Sequence, residues 1–307
     1  MPMMTACTWP LICPVCGDGL RAAAGTLKCP QSHSFDIAKE GYVNLLLSGK
    51  RRAKIRGDAK AMLRARRRFL EQGFYEPLSD TLNQRVQHYL ETATRAGPTA
   101  APIYVADMGC GEGYYVGRLK QALDRRLATT TCRYFGMDIS KQAARLAAKA
   151  YPDICFFVAN TNDQILFATG SVHILFNIFA PRNPAEFARV IVPGGLLLVA
   201  LPNPDHLADL PAELKLLGIE ADKQQHILDH LASTFTLTGQ HTISHELVLD
   251  GSQLVDLVGM TPNYWHLEAG EWRTIEALAG TTTSASFTIL EFRRDQAAGA
   301  ETTMTTP

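Results

Sequence analysis

The sequence predicts an α/β protein with a Rossmann-like, mostly parallel sheet, preceded by a small zinc-binding domain. Three observations predict it. From residue 103 onward, short apolar segments with strand character alternate with helical segments. The first apolar segment leads directly into a glycine-rich turn at 109–113. Near the N-terminus, two pairs of metal-ligand residues lie twelve residues apart. Alternation of strand and helix joins parallel strands through helical crossovers, which cover both faces of the sheet.

The elements are expected in a regular order. Strands are expected at 103–108, 134–137, 154–158, 172–176 and 196–200, with helices at 115–127, 141–150 and 184–190. Beyond residue 222 the pattern predicts a helix, a β-rich stretch at 235–249, two short helices and a closing strand at 287–292. Before the sheet, 59–70 and 78–90 read as helices because they are rich in strong helix formers.

Length and composition exclude several classes of protein. The chain has 307 residues, of which 46% are hydrophobic and 20% charged, so it can bury a full core. No apolar run approaches the roughly 18 residues of a membrane span. The first residues lack the basic start and apolar stretch of a secretory signal, which predicts a cytoplasmic protein with no membrane partner. In a reducing cytoplasm, seven cysteines favour a metal site over a disulfide scaffold.

The charge is unevenly distributed along the chain. Thirty basic residues balance thirty acidic ones, yet residues 50–68 hold ten basic residues and one acid, Asp58. A basic segment in a neutral protein is typical of a polyanion-binding surface. The alternative is a solvated helix face, although such faces usually carry more acids for i to i+4 pairing.

These patterns divide the chain into five segments. We expect a leader at 1–10, a zinc-binding RNA-recognition domain at 11–48, a basic helical linker or lid at 49–99, a catalytic α/β domain at 100–293 and a disordered tail at 294–307. The second segment is too short to bury an adequate apolar core without a staple.

The candidate metal ligands are Cys13, Cys16, Cys29 and His33. They form a C-x2-C pair and a C-x3-H pair, an arrangement that can close a tetrahedron around zinc. Since all four positions are filled by protein, the predicted zinc is structural, one ion per chain. Cys7 is a competing ligand that would need a longer loop, and incidental cysteines are the other alternative.

The glycine-rich turn predicts a nucleotide-type site. Asp107, Gly109, Gly111 and Gly113 form a D-x-G-x-G-x-G pattern after the first strand, and glycines there let a ligand approach the backbone. Asp138 ends the second strand, where its carboxylate can accept hydrogen bonds from both ribose hydroxyls. The combination favours S-adenosylmethionine over a dinucleotide, for which the glycine loop alone would also serve.

Two further polar residues lie near the predicted cofactor site. Asn160 ends the third strand and could meet an adenine edge, or could form a turn. For Asp138 the alternative role is a helix N-cap, although Ser140 suits that position better.

The ordered blocks of the chain resemble the RlmA family of 23S rRNA guanine-N1 methyltransferases. The blocks that carry the resemblance are Cys13–Cys16, Cys29–His33, Phe35–Leu46, Ala65–Leu70, Gly73–Leu78 and Asp107–Tyr115. The resemblance runs from about residue 11 to 292 and implies a class I S-adenosylmethionine methyltransferase fold. It also implies zinc at the four ligands above, and cofactor contacts at Tyr75, Gly111, Glu112 and His206.

The resemblance implies a target as well. The family has two branches that modify neighbouring guanines in one 23S rRNA hairpin near the peptide exit tunnel, and one branch is associated with resistance to the macrolide tylosin. Residues 109–115 resemble one branch, whereas 179–184 resemble the other, so the sequence does not choose between the two guanines. A homodimer is an assembly that the sequence leaves open.

The substrate site is expected where the fourth strand ends. Phe179 is a candidate for stacking on an extruded guanine, with Asn177 or backbone groups reading its edge; the alternative for Phe179 is a place in the core. The pattern identifies no general base. Two rival functions remain. A small-molecule methyltransferase leaves the zinc ligands and basic segment unexplained, whereas an inactive rRNA-binding module would not need an intact glycine loop.

Overall fold

A computed structural model describes residues 10–47, 57–95, 101–125, 131–210, 220, 222–278 and 280–296. The predicted leader, apart from its last residue, lies outside these residues. So do the first seven positions of the basic segment and most of the predicted tail.

The N-terminal unit is a three-stranded antiparallel sheet. Its strands are β1 (Arg21–Ala23), β2 (Thr26–Lys28) and β3 (Ser34–Asp36), with β2 in the centre. A fourth strand, β4 (Val43–Asn44), leaves this sheet and joins another.

Two helices follow and form a layer beside the large sheet. They are α1 (Lys60–Glu71) and α2 (Glu76–Arg95). The first buries Met62, Leu63, Phe69 and Leu70 on one face, as expected from apolar residues three and four positions apart. Pro77 lies in the first turn of α2, where a missing N–H costs no helical hydrogen bond. The second helix therefore starts before the predicted residue 78.

The large sheet has eight strands. Besides β4, they are β5 (Ile103–Met108), β6 (Cys132–Asp138), β7 (Cys155–Val158), β8 (Val172–Ile178), β9 (Ile191–Pro202), β10 (Phe235–Leu249) and β11 (Thr281–Arg294). The order is β10-β11-β9-β8-β5-β6-β7-β4, with β11 antiparallel to both of its neighbours. The crossover helices are α3 (Tyr114–Asp124), α4 (Lys141–Ala150) and α5 (Pro184–Val190), and α6 (Lys223–Leu231) precedes β10. The mostly parallel α/β fold predicted from sequence is confirmed.

The parallel strands at the centre of the sheet are buried on both faces, as parallel sheets require. Apolar side chains of β5 alternate between two core clusters: Val105 faces the cluster that includes α1 to α3, and Ala106 the cluster that includes the N-terminal unit. The strand order reverses between β5 and β8, so the loops after these strands diverge and open a crevice at their carboxyl ends. Ligands of such sheets bind in this crevice.

The N-terminal unit is joined to the large sheet rather than standing apart. Val43 and Asn44 pair in parallel with Phe157 and Val158, which makes β4 the edge strand beside β7. Leu11 also forms a bridge with Phe167. The predicted segment at 11–48 thus shares its core with the α/β region.

A helical insertion separates β10 from β11. It comprises α7 (Gly251–Gly259), a short 3-10 turn (Pro262–Trp265) and α8 (Ala269–Ala277). Helix α7 packs against α1, so the insertion and the N-terminal helices form one layer over the glycine loop. None of the helices formed by the described residues combines the length and the apolar character needed to span a membrane.

Candidate cofactor and metal sites

The four predicted metal ligands converge at one point. The ligand atoms of Cys13, Cys16, Cys29 and His33 all lie within 4.8 Å of one another. Nδ1 of His33 is 3.3 Å from Sγ of Cys29 and 3.6 Å from Sγ of Cys13, while the Sγ atoms of Cys16 and Cys29 are 3.6 Å apart. A zinc tetrahedron with ligands at about 2.0–2.3 Å has edges of about 3.5 Å, so the donor set fits zinc.

The turns around these ligands show why the sequence has this spacing. Gly17 follows the first knuckle with φ +79°, and its N–H donates to the carbonyl of Cys13. The N–H of Val15 donates to Sγ of Cys13, an interaction that favours the thiolate form a metal needs. Cys13 and Cys29 are buried, whereas Cys16 is exposed. With every position supplied by protein, the site suits a structural zinc.

The glycine loop connects β5 to α3. Gly109, Gly111 and Gly113 have φ of +83°, +56° and +85°, a region that side chains with a Cβ disfavour. A Cβ on Gly113 would also lie 2.9 Å from the ring of Phe156. The loop therefore needs glycine for its backbone shape and for its close packing, and it leaves backbone exposed to an approaching ligand.

Three carboxylates surround this loop. Asp138 accepts the N–H of Gly111 through Oδ2 at 2.9 Å and that of Ser140 through Oδ1 at 2.7 Å. Glu112 and Asp107 are buried, and each leaves one carboxylate oxygen without a hydrogen-bond partner. Burial, reinforced by the charges of Asp138 and Glu112, raises the pKa of Asp107 to about 8. Burial raises the pKa of Asp138 and of Glu112 as well.

These features fit the donor that the sequence predicts. S-adenosylmethionine carries a sulfonium, an ammonium and two ribose hydroxyls, all of which suit a group of carboxylates. Ser140, not Asp138, caps helix α4, accepting the N–H of Ala143. The alternative role of Asp138 as a helix cap is therefore not observed, and its contact with the ribose stays a prediction.

Asn160 has the turn-forming role that was its alternative assignment. Its side-chain oxygen accepts the N–H of Asn162 at 3.1 Å, within the loop that follows β7. The residue still lies at the carboxyl end of its strand, next to Ala159, whose N–H pairs with the carbonyl of Asp138. An adenine contact by Asn160 remains a proposal.

Tyr75 and His206 meet across the two halves of the site. The hydroxyl of Tyr75, buried between α1 and α2, lies 3.3 Å from Nε2 of His206. Nδ1 of His206 accepts the N–H of Ser286, which assigns the proton of the neutral ring to Nε2. Burial lowers the pKa of His206 to about 4, so the ring is neutral at physiological pH. The pair can donate a hydrogen bond but carries no charge.

An aromatic surface lies beside this pair. Phe179, just after β8, is 44% exposed and has φ +52°, which is rare for a bulky residue. Its ring centroid lies 5.5 Å from that of Phe287 and 6.5 Å from that of Tyr115. Phe287 in turn contacts Tyr75, with ring centroids 4.7 Å apart. The exposed ring of Phe179 therefore lies on a buried aromatic floor rather than in the core.

The structure corrects the role considered for Asn177. Its side chain is fully buried, and its Nδ2 donates to the carbonyl of Pro181 at 2.9 Å. Nη1 of Arg182 donates to its Oδ1 at 3.4 Å. The amide thus holds the turn that displays Phe179 and is directed into the protein, so it does not read a substrate edge.

At its C-terminal end the basic segment forms ion pairs within the protein. Arg66 pairs with Asp58, Arg67 with Glu71 and Arg68 with Asp256. Each of these three guanidinium groups thus has a carboxylate partner within the protein, although the side chain of Arg68 is still 58% exposed. Positions 50–56, which hold five of the ten basic residues, lie outside the described residues.

Sequence reasoning missed two residues of the site. Phe287 read only as part of the closing strand, and Arg66 as one of many basic residues. Nη1 of Arg66 lies 3.2 Å from the point that a Cβ on Gly111 would occupy, directly above the glycine loop. The signal that could have found Arg66 is its place in the block Ala65–Leu70, which carries part of the family resemblance and lies close in sequence to Tyr75.

Comparison with known proteins agrees with this geometry. Residues 11–54 match the family model of the RlmA N-terminal zinc ribbon. A 23S rRNA (guanine(748)-N(1))-methyltransferase from Streptomyces fradiae is 37% identical over 91% of this chain and 95% of its own length. Relatives from Micromonospora griseorubida and Bacillus subtilis carry the provisional name 23S rRNA (guanine-N(1)-)-methyltransferase. They are 39% and 28% identical, over 84% and 82% of this chain and 88% and 86% of their own lengths. The chain therefore belongs to the RlmA family of 23S rRNA (guanine-N1)-methyltransferases.

Proposed function

We propose that this protein transfers the methyl group of S-adenosylmethionine to N1 of a guanine in 23S rRNA. The observation that carries the proposal is the match, over nearly the whole chain, to a relative whose name states this reaction at guanine 748. The glycine loop and the aromatic surface beside it supply a donor site and an acceptor site at one crevice. We take the same guanine, in a hairpin near the peptide exit tunnel, as the target.

The bound cofactor supplies an activated methyl group on its sulfonium. Because the displacement is in line, positioning of the acceptor governs much of the rate. A guanine inside a hairpin must be turned out of its stack to be reached, and an exposed aromatic ring can hold it. Phe179 has the required exposure, and the turn held by Asn177 fixes its direction.

Tyr75 and His206 are assigned to binding rather than to proton removal. Nδ1 of His206 is occupied by the N–H of Ser286 and cannot take up a proton without losing that bond. Its Nε2–H is directed at the oxygen of Tyr75, so the hydroxyl hydrogen of Tyr75 is the donor that this pair offers to the cofactor or to O6 of the guanine as charge develops there.

Zinc fits the N-terminal unit, which we propose as the RNA-recognition part together with the basic residues before Asp58. As an rRNA enzyme the protein would act in the cytoplasm. If guanine 748 is the target, a strain that produces this protein should differ in tylosin-type macrolide sensitivity from a strain that lacks the protein.

The decisive experiment uses rRNA from a strain that lacks this gene. Purified protein and S-adenosylmethionine labelled in the methyl group should transfer label to that rRNA, and not to small acceptors. Reverse transcription should then stop at the modified base, because a methyl group on N1 blocks base pairing. A stop at the neighbouring guanine would move the target, label in small acceptors would favour a small-molecule enzyme, and RNA binding without transfer would favour an inactive module.

A further inference from the structure

Arg66 occupies a position in the cofactor site that its place in a basic run does not suggest. Its guanidinium extends from α1 to the glycine loop. Its Nη2 donates to the carbonyl of Met260, the residue that follows α7, at 3.0 Å. Nη1 pairs with Oδ2 of Asp58 at 2.5 Å. Anchored on one side by a backbone carbonyl, the planar fork has its other side turned toward Gly111.

The charges around Arg66 are otherwise negative. Glu112 and Asp138 interact electrostatically with its guanidinium. Such carboxylates attract the sulfonium and ammonium of S-adenosylmethionine but repel its carboxylate. A buried carboxylate of the ligand needs a cation nearby, and a guanidinium binds one with two parallel hydrogen bonds.

Asp58 reaches the same place from the chain preceding α1. A Cβ on Gly57 would lie 2.9 Å from Cβ of Ser140 and 3.2 Å from a methyl carbon of Ile139, so this chain lies on the loop that follows Asp138. The side chains of Asp58 and Arg66 are 31% and 26% exposed, respectively. A ligand can therefore reach their ion pair, and exchange of one carboxylate for another costs less than burial of an unpaired charge.

We infer that Arg66 binds the carboxylate of S-adenosylmethionine, and that Asp58 is an internal carboxylate that competes with it for the guanidinium. The inference rests on the cofactor of the proposed function. The competition also connects cofactor binding to the chain that bears the basic residues, because the cofactor would displace Asp58 from Arg66.

Calorimetry on the full-length protein tests this with two ligands, S-adenosylmethionine and its decarboxylated form. The wild type should bind the first about 10- to 100-fold more tightly, the range of a hydrogen bond to a charged group. Arg66→Gln should remove most of that difference by weakening S-adenosylmethionine alone. Arg64→Gln, which removes the same charge from an exposed position of the same helix, should leave both affinities unchanged.

Asp58→Asn is the second variant, and it does not depend on the folding of Arg66→Gln. Removal of the competing charge should tighten S-adenosylmethionine severalfold and should not tighten the decarboxylated form. Equal binding of the two ligands by the wild type, or weaker binding of S-adenosylmethionine to Asp58→Asn, would overturn the inference. Failure of the wild type to bind S-adenosylmethionine would instead overturn the proposed function.

Discussion

The backbone at Gly109 passes so close to Ala180 that a Cβ on the glycine would lie 2.5 Å from Cβ of the alanine. Carbon atoms that are not bonded to each other do not approach so closely. The loop after β5 and the loop after β8 therefore fit together only because residue 109 lacks a side chain. The first loop belongs to the cofactor site and the second displays Phe179. We therefore expect their contact to set the distance between the bound cofactor and a base that stacks on Phe179.

Gly109→Ala should therefore abolish most methyl transfer. The variant bears the cost of a left-handed residue, about 1–2 kcal/mol, and must also separate the two loops. Gly170→Ala is the matched control, because its φ is +58° and a Cβ there meets nothing within 4 Å. Melting temperature and transfer rate distinguish the two effects. Both variants should have a lower melting temperature. Only Gly109→Ala should also have a lower transfer rate at a temperature where both variants are folded.

The double variant Gly109→Ala with Ala180→Gly provides a further check. It removes the collision while the backbone strain remains. Recovery of part of the transfer rate is expected. No recovery would mean that the loop conformation, and not the spacing of the loops, controls the reaction.

Phe179→Ala should lower the activity on RNA without lowering the affinity for the cofactor. Stacking of a base on an aromatic ring contributes about 1–3 kcal/mol, so kcat/KM for an rRNA fragment should fall about 5- to 150-fold. Since the ring is 44% exposed, the melting temperature should change little. Phe179→Tyr keeps the ring and should retain activity. A parallel loss of S-adenosylmethionine affinity in the alanine variant would place this side chain at the cofactor instead.

Asp138→Ala should weaken the binding of S-adenosylmethionine by about 1.5–3 kcal/mol, the scale of a hydrogen bond to a charged group. The carboxylate also holds the N–H of Gly111, so its removal loosens the glycine loop as well. Calorimetry measures the loss, and Asp153→Ala, at an exposed position before β7, is the control. Unaltered affinity in Asp138→Ala would refute the ribose assignment.

The purified protein should contain one zinc ion per chain, and Cys29→Ser should lose it. Cys132→Ser, which changes a free thiol outside the cluster, should keep it. Elemental analysis measures the metal. Because the N-terminal unit packs on β7, loss of zinc should also lower the melting temperature. An ordered, metal-free wild type would contradict the assignment.

The basic residues before Asp58 should carry the RNA backbone. Replacement of Arg51, Arg52 and Lys54 with Gln should flatten the slope of log affinity against log salt by up to about two to three units. RNA affinity should fall about equally for matched and mismatched hairpins, since phosphate contacts do not read sequence. S-adenosylmethionine binding without RNA should not change.

A matched control removes three exposed charges elsewhere. Its positions are Lys141, Lys149 and Arg273. This variant should retain the salt dependence of the wild type. An unchanged slope in the first triple variant would exclude its three residues from the RNA interface.

The sequence predicted the parts of the fold that local pattern determines. Strand β5, helix α4 and helix α5 begin and end where apolar runs and capping residues place them. The closing strand was predicted too short, at 287–292 instead of Thr281–Arg294. Its first half is TTTSAS, which has no apolar run and becomes a strand because β10 pairs with it.

The sequence predicted those parts of the site that depend on the spacing of residues along the chain. It did not predict those that depend on the direction of a side chain. The zinc ligands converge as the C-x2-C and C-x3-H pairs predict. Asn177 lies near the carboxyl end of β8, yet its side chain is directed into the protein, and no local pattern encodes that orientation. The role of Arg66 was missed for a different reason. Its partners Asp58 and Met260 are eight and 194 residues away, so only the fold reveals what its charge faces.

The two-residue strand Val43–Asn44 has a consequence for how this protein can be divided. By pairing with β7 it covers an edge whose unpaired N–H and carbonyl groups would otherwise be open to a strand from another molecule. A shortened enzyme that starts after residue 48 would keep the whole glycine loop but expose that edge. We therefore expect the shortened enzyme to self-associate more than the full chain, and a chimera that exchanges ribbons between relatives to need residues 43 and 44.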